Sequence, residues 1–229
     1  MNHMKNIKSV VFDMAGTVVD EQNIVYKTVH QALLDNGYNL TLEDVLKDGA
    51  GKEKLRAIQD LMTVADGALD EAKSKEIHKA FQAKLDENYA TMEIKEQPNA
   101  SSLFQWLRSK GIKVALNTGY NKAIANMLIE KLNWQVGRDI DALVTADDAE
   151  NHRPAPDMIL LANQWLGIEN NSAAKVGDSA IDIHEGKNAD CALTIGVTTG
   201  AQTRAQLEEA TPDFVIDDLL ELKEILIAE

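Results

Sequence analysis

Five polar side chains stand at or near the ends of apolar, β-type runs: Asp13, Thr118, Arg153, Asp178 and Asp182. Asp13 closes Val10-Val11-Phe12, and Ala15-Gly16-Thr17 follows at once. Thr118 closes Ile112–Asn117 and precedes Gly119; Asp178 follows Ala173–Gly177, with Asp182 four residues on. Arg153 lies in the loop His152-Arg153-Pro154. Two carboxylates with a hydroxyl and a guanidinium make a divalent-cation and phosphate site. Asp13 and Asp178 suit Mg²⁺, which takes oxygen ligands and keeps several waters. Thr118 and the backbone amides near Gly119 suit phosphate oxygens, and Arg153 supplies a fixed positive charge to the same oxygens. One aspartate is left free to attack phosphorus. Each residue alone could be a cap, a turn residue or a surface ion pair. Four of them in one strand-end register argue against that.

Strand ends converge on one crevice only in a parallel sheet, so the elements between them matter. From Gln97 onward strands alternate with helices: Ile112–Thr118, Ala142–Thr145, Ala173–Val176, Ala192–Val197 and Phe214–Ile216 read as strands. Helices are expected from Pro98 to Lys110, Asn121 to Leu132, Pro156 to Leu166, near Ala180, and Leu219 to Ile227. This βα rhythm predicts an α/β, Rossmann-like, doubly wound parallel sheet with right-handed crossovers. After Asp20 the texture changes. Helical spacing runs to about Glu96, with segments near Ile24–Leu33, Leu42–Leu46, Lys52–Met62 and Asp70–Met92, and a glycine-rich break at Asp48–Gly51. The expected organisation is a core of residues 1–20 and 97–229 with an inserted all-helical cap, residues 21–96, hinged near Val19–Gln22 and Glu96–Asn99. Trp106, Trp134 and Trp165 fall on or near amphipathic helices and are expected to pack in the core.

Taken together, Asp13-Met14-Ala15-Gly16-Thr17, Asn117-Thr118-Gly119, Arg153-Pro154 and Gly177-Asp178-Ser179-Ala180-Ile181-Asp182 resemble the four motifs of the haloacid dehalogenase superfamily. The resemblance covers essentially the whole chain. It implies a hydrolase that forms an aspartyl-phosphate on Asp13, which is also a Mg²⁺ ligand. Thr118 would bind the phosphoryl group, Asp178 the metal, and Asp182 would support that site. Arg153 stands where most members have lysine. Typical phosphatases of the superfamily carry a second aspartate two places after the nucleophile, as general acid and base. Here that place is Ala15, whose carbonyl can ligate Mg²⁺ but cannot protonate an alkoxide. General acid assistance is worth roughly 10²–10⁴-fold.

Asp-x-Ala-Gly-Thr with arginine at the third motif is similar to the phosphonoacetaldehyde hydrolase (phosphonatase) branch, as is Tyr120 directly after Thr118-Gly119. That branch cleaves a carbon–phosphorus bond. A cap lysine forms an imine with the substrate aldehyde, so no leaving oxygen needs a proton. Lys54 matches the branch's Gly-x-x-Lys cap motif and its spacing, although Gly49 to Lys52 gives a second match. An imine-forming lysine must be neutral, through desolvation or a cationic neighbour; Arg56 and Lys52 are the candidate neighbours in sequence. Three departures separate the chain from that branch. Ala57 stands in place of its histidine, Ala50 in place of its methionine, and its early cap cysteine is missing, since the one cysteine is Cys191.

Composition bounds the partners. The 229 residues carry a formal charge of -14, which argues against nucleic acid, and no apolar run is long enough to cross a bilayer. A single cysteine, expected to be a small buried residue, allows no intrachain disulfide and fits a reducing, cytoplasmic setting. Met1–Lys5 lacks the apolar stretch of a signal peptide. The resemblance allows a homodimer. The expected activity is Mg²⁺-dependent hydrolysis of phosphonoacetaldehyde or a related small phosphonate. The alternatives are a phosphate-ester phosphatase and a non-catalytic phosphometabolite sensor.

Overall fold

The computed structural model describes residues 7–227, so the Met1–Lys5 reading falls outside the described residues. In chain order the strands and helices are β1 (Ser9–Asp13), β2 (Val19–Asp20), α1 (Ile24–Leu34), α2 (Leu42–Gly49), α3 (Lys54–Asp66), α4 (Glu71–Thr91), β3 (Lys95–Glu96), α5 (Ala100–Ser109), β4 (Lys113–Thr118), α6 (Lys122–Lys131), β5 (Ala142–Thr145), α7 (Asp157–Leu166), β6 (Ala173–Gly177), α8 (Ala180–Asn188), β7 (Leu193–Val197), α9 (Arg204–Glu209), β8 (Phe214–Ile216) and α10 (Glu221–Ile227). The main sheet is parallel, in the order β5-β4-β1-β6-β7-β8.

β1 lies at the centre because it is apolar on both faces. Val10 and Phe12 enter one hydrophobic cluster, which extends into the helical insert. Val11 enters a second cluster with Ala115, Val144, Met158 and Ile159. Continuous β-branched and aromatic residues are what a strand covered on both sides requires. The chain order reverses around β1, with β4 on one side and β6 on the other. The crevice beyond the carboxyl ends of these three strands is where open α/β sheets bind ligands.

Helices α1–α4 sit between β2 and β3, which pair antiparallel and close the base of the insert. Ile77, Phe81, Leu85 and Tyr89 recur every four residues along α4 and are buried. They form one stripe against the buried face of α1. The crossing points are marked by left-handed residues: Gln22 and Asn23 at φ 54° and 57°, and Asn99 at φ 71°. Asn99 explains why α5 starts at Ala100 and not at Pro98. Likewise Asp48 and Gly49 belong to α2, so the glycine-rich break is shorter than its composition suggests. Trp134 is buried and its Nε1 donates to Ser101 Oγ, whereas Trp165 is 52% exposed, against the expectation of core packing. It lies near the end of α7, beyond the stripe of Met158, Ile159 and Ala162 that the sheet covers. Among the described residues no helix is long and apolar enough to cross a membrane.

Candidate active site

The chain turns sharply where β1 ends. The amides of Thr17, Val18 and Val19 all converge on the Met14 carbonyl, and Gly16 N donates to Val19 O. Gly16 has φ +78°, and a Cβ there would fall 2.3 Å from Asp178 Oδ2. Only glycine lets this turn, with Ala15 in it, lie against the β6–α8 loop. Asp178 is then held from the opposite side: Ala201 N donates to its Oδ2 at 2.6 Å, and Thr17 Oγ1 reaches its Oδ1 at 3.4 Å.

Asp13, Asp178 and Asp182 are buried and offer carboxylate oxygens within 4.8 Å of one another. Arg153 enters from the loop before α7. Its Nη1 lies 2.7 Å from Asp13 Oδ1 and 3.1 Å from Asp182 Oδ1; Nε pairs with Glu185 Oε2 at 2.9 Å. Nη2 donates to the Asn117 carbonyl and to its Oδ1. Lys175 approaches from β6, 3.1 Å from both Asp182 and Glu185 and 2.6 Å from Asn117 Oδ1. Asn117, Lys175 and Glu185 were not singled out in sequence. The signal for Lys175 was a lysine inside the apolar run Ala173–Val176, because a central strand buries charge only beside a counter-charge.

Four buried carboxylates thus face two buried cations. The excess of two negative charges equals one divalent ion. Asp178 is pushed well above the usual carboxylate range by burial and then by Asp13 and Asp182, and Asp13 is raised mainly by burial. Asp182 is held below it by Arg153 and Lys175 in spite of burial. An all-oxygen, doubly negative cluster fits a hard divalent cation.

Thr118 ends β4 and is buried; its Oγ1 accepts from Tyr120 N at 3.2 Å. Gly119 faces the insert, whose Gly51 and Lys52 carbonyls lie 3.6 and 3.4 Å from the position of a Cβ on it. Gly51 itself is at φ +70° and presses on Ser179 and Ile181, while its amide donates to Tyr26 Oη at 3.0 Å. Between insert and core is a cavity of about 250 Å³, lined in part by Lys54, Phe81, Leu85, Gly119, Tyr120 and His152.

The two lysines of the Gly-x-x-Lys matches part company. Lys52 turns outward to Asp60 at 2.8 Å. Glu53 caps α3, and Lys54, its first residue, is buried with Nζ donating to the Lys52 carbonyl at 2.7 Å. Nζ also lies 5.2 Å from the Tyr26 ring centroid and 5.9 Å from that of Tyr120. Burial lowers its pKa. Asp13 opposes this shift, and Arg153 adds to it. The cationic neighbour is therefore Arg153; Arg56, like Lys52, is paired with Asp60. Cys191 is partly buried and not fully so, and burial pushes its thiol up to about 12, away from nucleophilic use.

Glu21, which the sequence does not single out, is buried just ahead of α1 and is linked through Tyr89 to Tyr120 in the cavity wall. Its Oε2 accepts from Val25 N at 3.1 Å and from Tyr89 Oη at 3.2 Å, while Oε1 has no partner. Burial raises its pKa from 4.5 to about 7. A raised carboxyl binds its proton more tightly in the folded state, so its contribution is complete below pH 4.5 and is lost as pH rises through 7. Between those limits the wild type should lose on the order of 3 kcal/mol of stability relative to Glu21→Gln, at ~1.4 kcal/mol per pH unit. Urea unfolding of both proteins from pH 4.5 to 8 reads this difference; parallel curves would refute it.

Residues 10–197 match the haloacid dehalogenase-like hydrolase family. The chain is 29% identical to phosphonoacetaldehyde hydrolase of Bacillus cereus, over 95% of this chain and 84% of that protein. It is 27% identical to phosphoglycolate phosphatase of Shigella boydii, over 96% of this chain and 94% of that one. A solved hydrolase of Pseudomonas syringae shares the fold, with a TM-score of 0.83 at 20% identity over 96% of this chain and 97% of that chain.

Proposed function

The chain belongs to the haloacid dehalogenase-like hydrolases, and from that premise we propose that it is a phosphatase acting on a small phosphate monoester through an aspartyl-phosphate on Asp13. The observation that carries this reading is the placement of Asp13. Its carboxylate is fixed at 2.7 Å by Arg153 at the mouth of the sheet, beside Asp178 and one residue-pairing position from Thr118. Arg153 holds one oxygen, which leaves the other free to attack in line. As the Asp13 oxygen bonds to phosphorus, the ester P–O bond breaks and its electron pair leaves with the alcohol oxygen. Water then attacks phosphorus and releases phosphate, restoring Asp13. Thr118 Oγ1 and the Gly119 amide are the donors for the transferring oxygens, and Arg153 is the charge facing them. Asp13 and Asp178, with the Ala15 carbonyl and with Asp182 in support, would hold Mg²⁺, which neutralises charge between the carboxylates and the phosphoryl oxygens when bound. Phosphate release from p-nitrophenyl phosphate and alkyl phosphates, in Mg²⁺ and after chelation, tests the reading. No release from any ester in Mg²⁺ overturns it.

A second reading, cleavage of the C–P bond of phosphonoacetaldehyde or a related phosphonate, is favoured by Lys54. This lysine is buried, lowered in pKa, close to the Tyr26 and Tyr120 rings, and lines the cavity with Tyr120. It needs no acid at position 15. In that reading Lys54→Arg loses at least about 10³-fold on the aldehyde and less than about tenfold on an ester, since only the first needs a covalent amine. Borohydride reduction in the presence of the aldehyde would attach the substrate carbon skeleton to Lys54. Full aldehyde turnover by Lys54→Arg would exclude the imine.

A further inference from the structure

Ala15 leaves the alcohol leaving group of a phosphate monoester without the usual proton donor, and the buried carboxylates beside it are not free to replace it; His152, which lines the cavity, has its Nε2 3.1 Å from the Ala146 carbonyl. Asp13, Asp178, Asp182 and Glu185 are all committed to the charge cluster. Glu21 is the carboxyl group that the insert sets beside Lys54 and the tyrosines, and its surroundings are those of a proton carrier. Oε2 accepts from Tyr89 Oη at 3.2 Å, and Tyr89 Oη is 2.9 Å from Tyr120 Oη. Tyr120 belongs to the phosphoryl-binding loop and lines the 250 Å³ cavity. A continuous chain of exchangeable protons therefore runs from Glu21, just ahead of α1, to Tyr120 in the wall of that cavity. The second oxygen, Oε1, is buried without a partner, so no bond there holds the group ionised.

We propose that Glu21 is the proton source and sink of the reaction, acting on the leaving-group oxygen through the Tyr89–Tyr120 hydroxyl pair in place of the carboxylate missing at Ala15. With Glu21 protonated on Oε2 the two hydroxyls turn to donate outward; as the P–O bond breaks, the Glu21 proton passes to the Tyr89 oxygen, the Tyr89 proton to the Tyr120 oxygen, and the Tyr120 proton to the departing alkoxide. Glu21 is left ionised. In the second half-reaction the attacking water gives up a proton, which returns along the same chain. Lys54 and Asp20 are the charged groups acting on Glu21, and Tyr26, Tyr89 and Tyr120 are the titratable hydroxyls around it. Its pKa near 7 lets it serve both half-reactions at neutral pH.

This rests on the phosphatase reading, and leaving-group chemistry separates the two. Mg²⁺-loaded wild type, Glu21→Gln and Tyr89→Phe are compared on p-nitrophenyl phosphate, phenyl phosphate and 2-phosphoglycolate between pH 5 and 9. Glutamine keeps an acceptor for Val25 and Tyr89 but carries no transferable proton. The expected loss in kcat is about 10²-fold or more on the alkyl ester and about tenfold or less on p-nitrophenyl phosphate, whose leaving group needs no proton. The limb of the alkyl-ester pH profile near 7 disappears in both variants. Equal losses on all three esters, or none, overturn the relay. A wild type that cleaves p-nitrophenyl phosphate but no alkyl ester overturns it too, and leaves the phosphatase reading standing. A wild type that cleaves no ester overturns both.

Discussion

Asp13→Asn should lower phosphate release by on the order of 10⁴-fold or more, because it removes the attacking oxygen and leaves everything around it in place. Asparagine has the same shape, and its Oδ1 can still accept from Arg153 Nη1, which sits 2.7 Å from the carboxylate. What changes is charge and nucleophilicity. The same substitution should not destabilise the metal-free protein. Asp13 is buried beside Asp178 and Asp182, and both burial and the Asp182 charge raise its pKa, so the ionised carboxylate is under strain before any cation arrives. A neutral amide relieves part of that repulsion. The variant should therefore unfold at equal or higher urea concentration than the wild type when metal-free, and should gain less from added Mg²⁺. This pairing of lost activity with retained or improved stability is the signature of a group held in place for chemistry. Activity within tenfold of wild type would rule out Asp13 as nucleophile; a large loss of stability would mean that its charge is needed by the fold.

Much of this arrangement was legible in the chain because it depends on local pattern. The strand ending on Asp13, the strand ending on Thr118 and the run before Asp178 each announce themselves by apolar residues that stop at a polar one. A parallel sheet then brings their ends together without further information. Arg153 was legible only in company: alone it could be a surface ion pair, and it gained meaning from the strand ends at Asp13, Thr118 and Asp178. What was hidden depends on contacts made far away in sequence. Glu185 becomes a partner of Arg153, and Lys175 of Glu185 and Asp182, only once β6 and α8 pack beside β1. The choice between Lys52 and Lys54 hangs on where α3 starts, and Glu53 decides it by capping Leu55 and Arg56 with its carboxylate. Glu21 could not be read at all. Its spacing is that of a helix-start acid, and its burial comes from Tyr89, 68 residues later. Trp165 shows the reverse limit: helical spacing placed it on an amphipathic helix, but its place outside the covered stripe leaves an indole in solvent.

Arg153 carries the largest expected effect on stability. Its guanidinium is buried and meets Asp13 and Asp182 through Nη1, Glu185 through Nε and two oxygens of Asn117 through Nη2, a fork that only arginine can supply. Arg153→Met fills similar volume but strands three buried carboxylates with Lys175 as their remaining cation. Removing one partner of such a buried pair costs about 3–5 kcal/mol. Arg153→Lys keeps the charge and should recover part of that, because one ammonium cannot reach Asp13 and Glu185 together while also replacing the Asn117 contacts. The pH dependence carries the cause. In the wild type Asp182 is held below the usual range by Arg153 and Lys175, so its contribution is present at neutral pH and is lost as pH falls through its lowered value. Without Arg153 the folded-state carboxylates rise instead, the native state takes up protons more readily than the unfolded chain, and stability should improve as pH falls. The deficit of Arg153→Met against wild type should therefore be greatest near pH 8 and shrink towards pH 5 in urea unfolding of the metal-free proteins. A deficit independent of pH would show that Arg153 supports the fold by packing, and its electrostatic role in holding Asp13 would have to be abandoned.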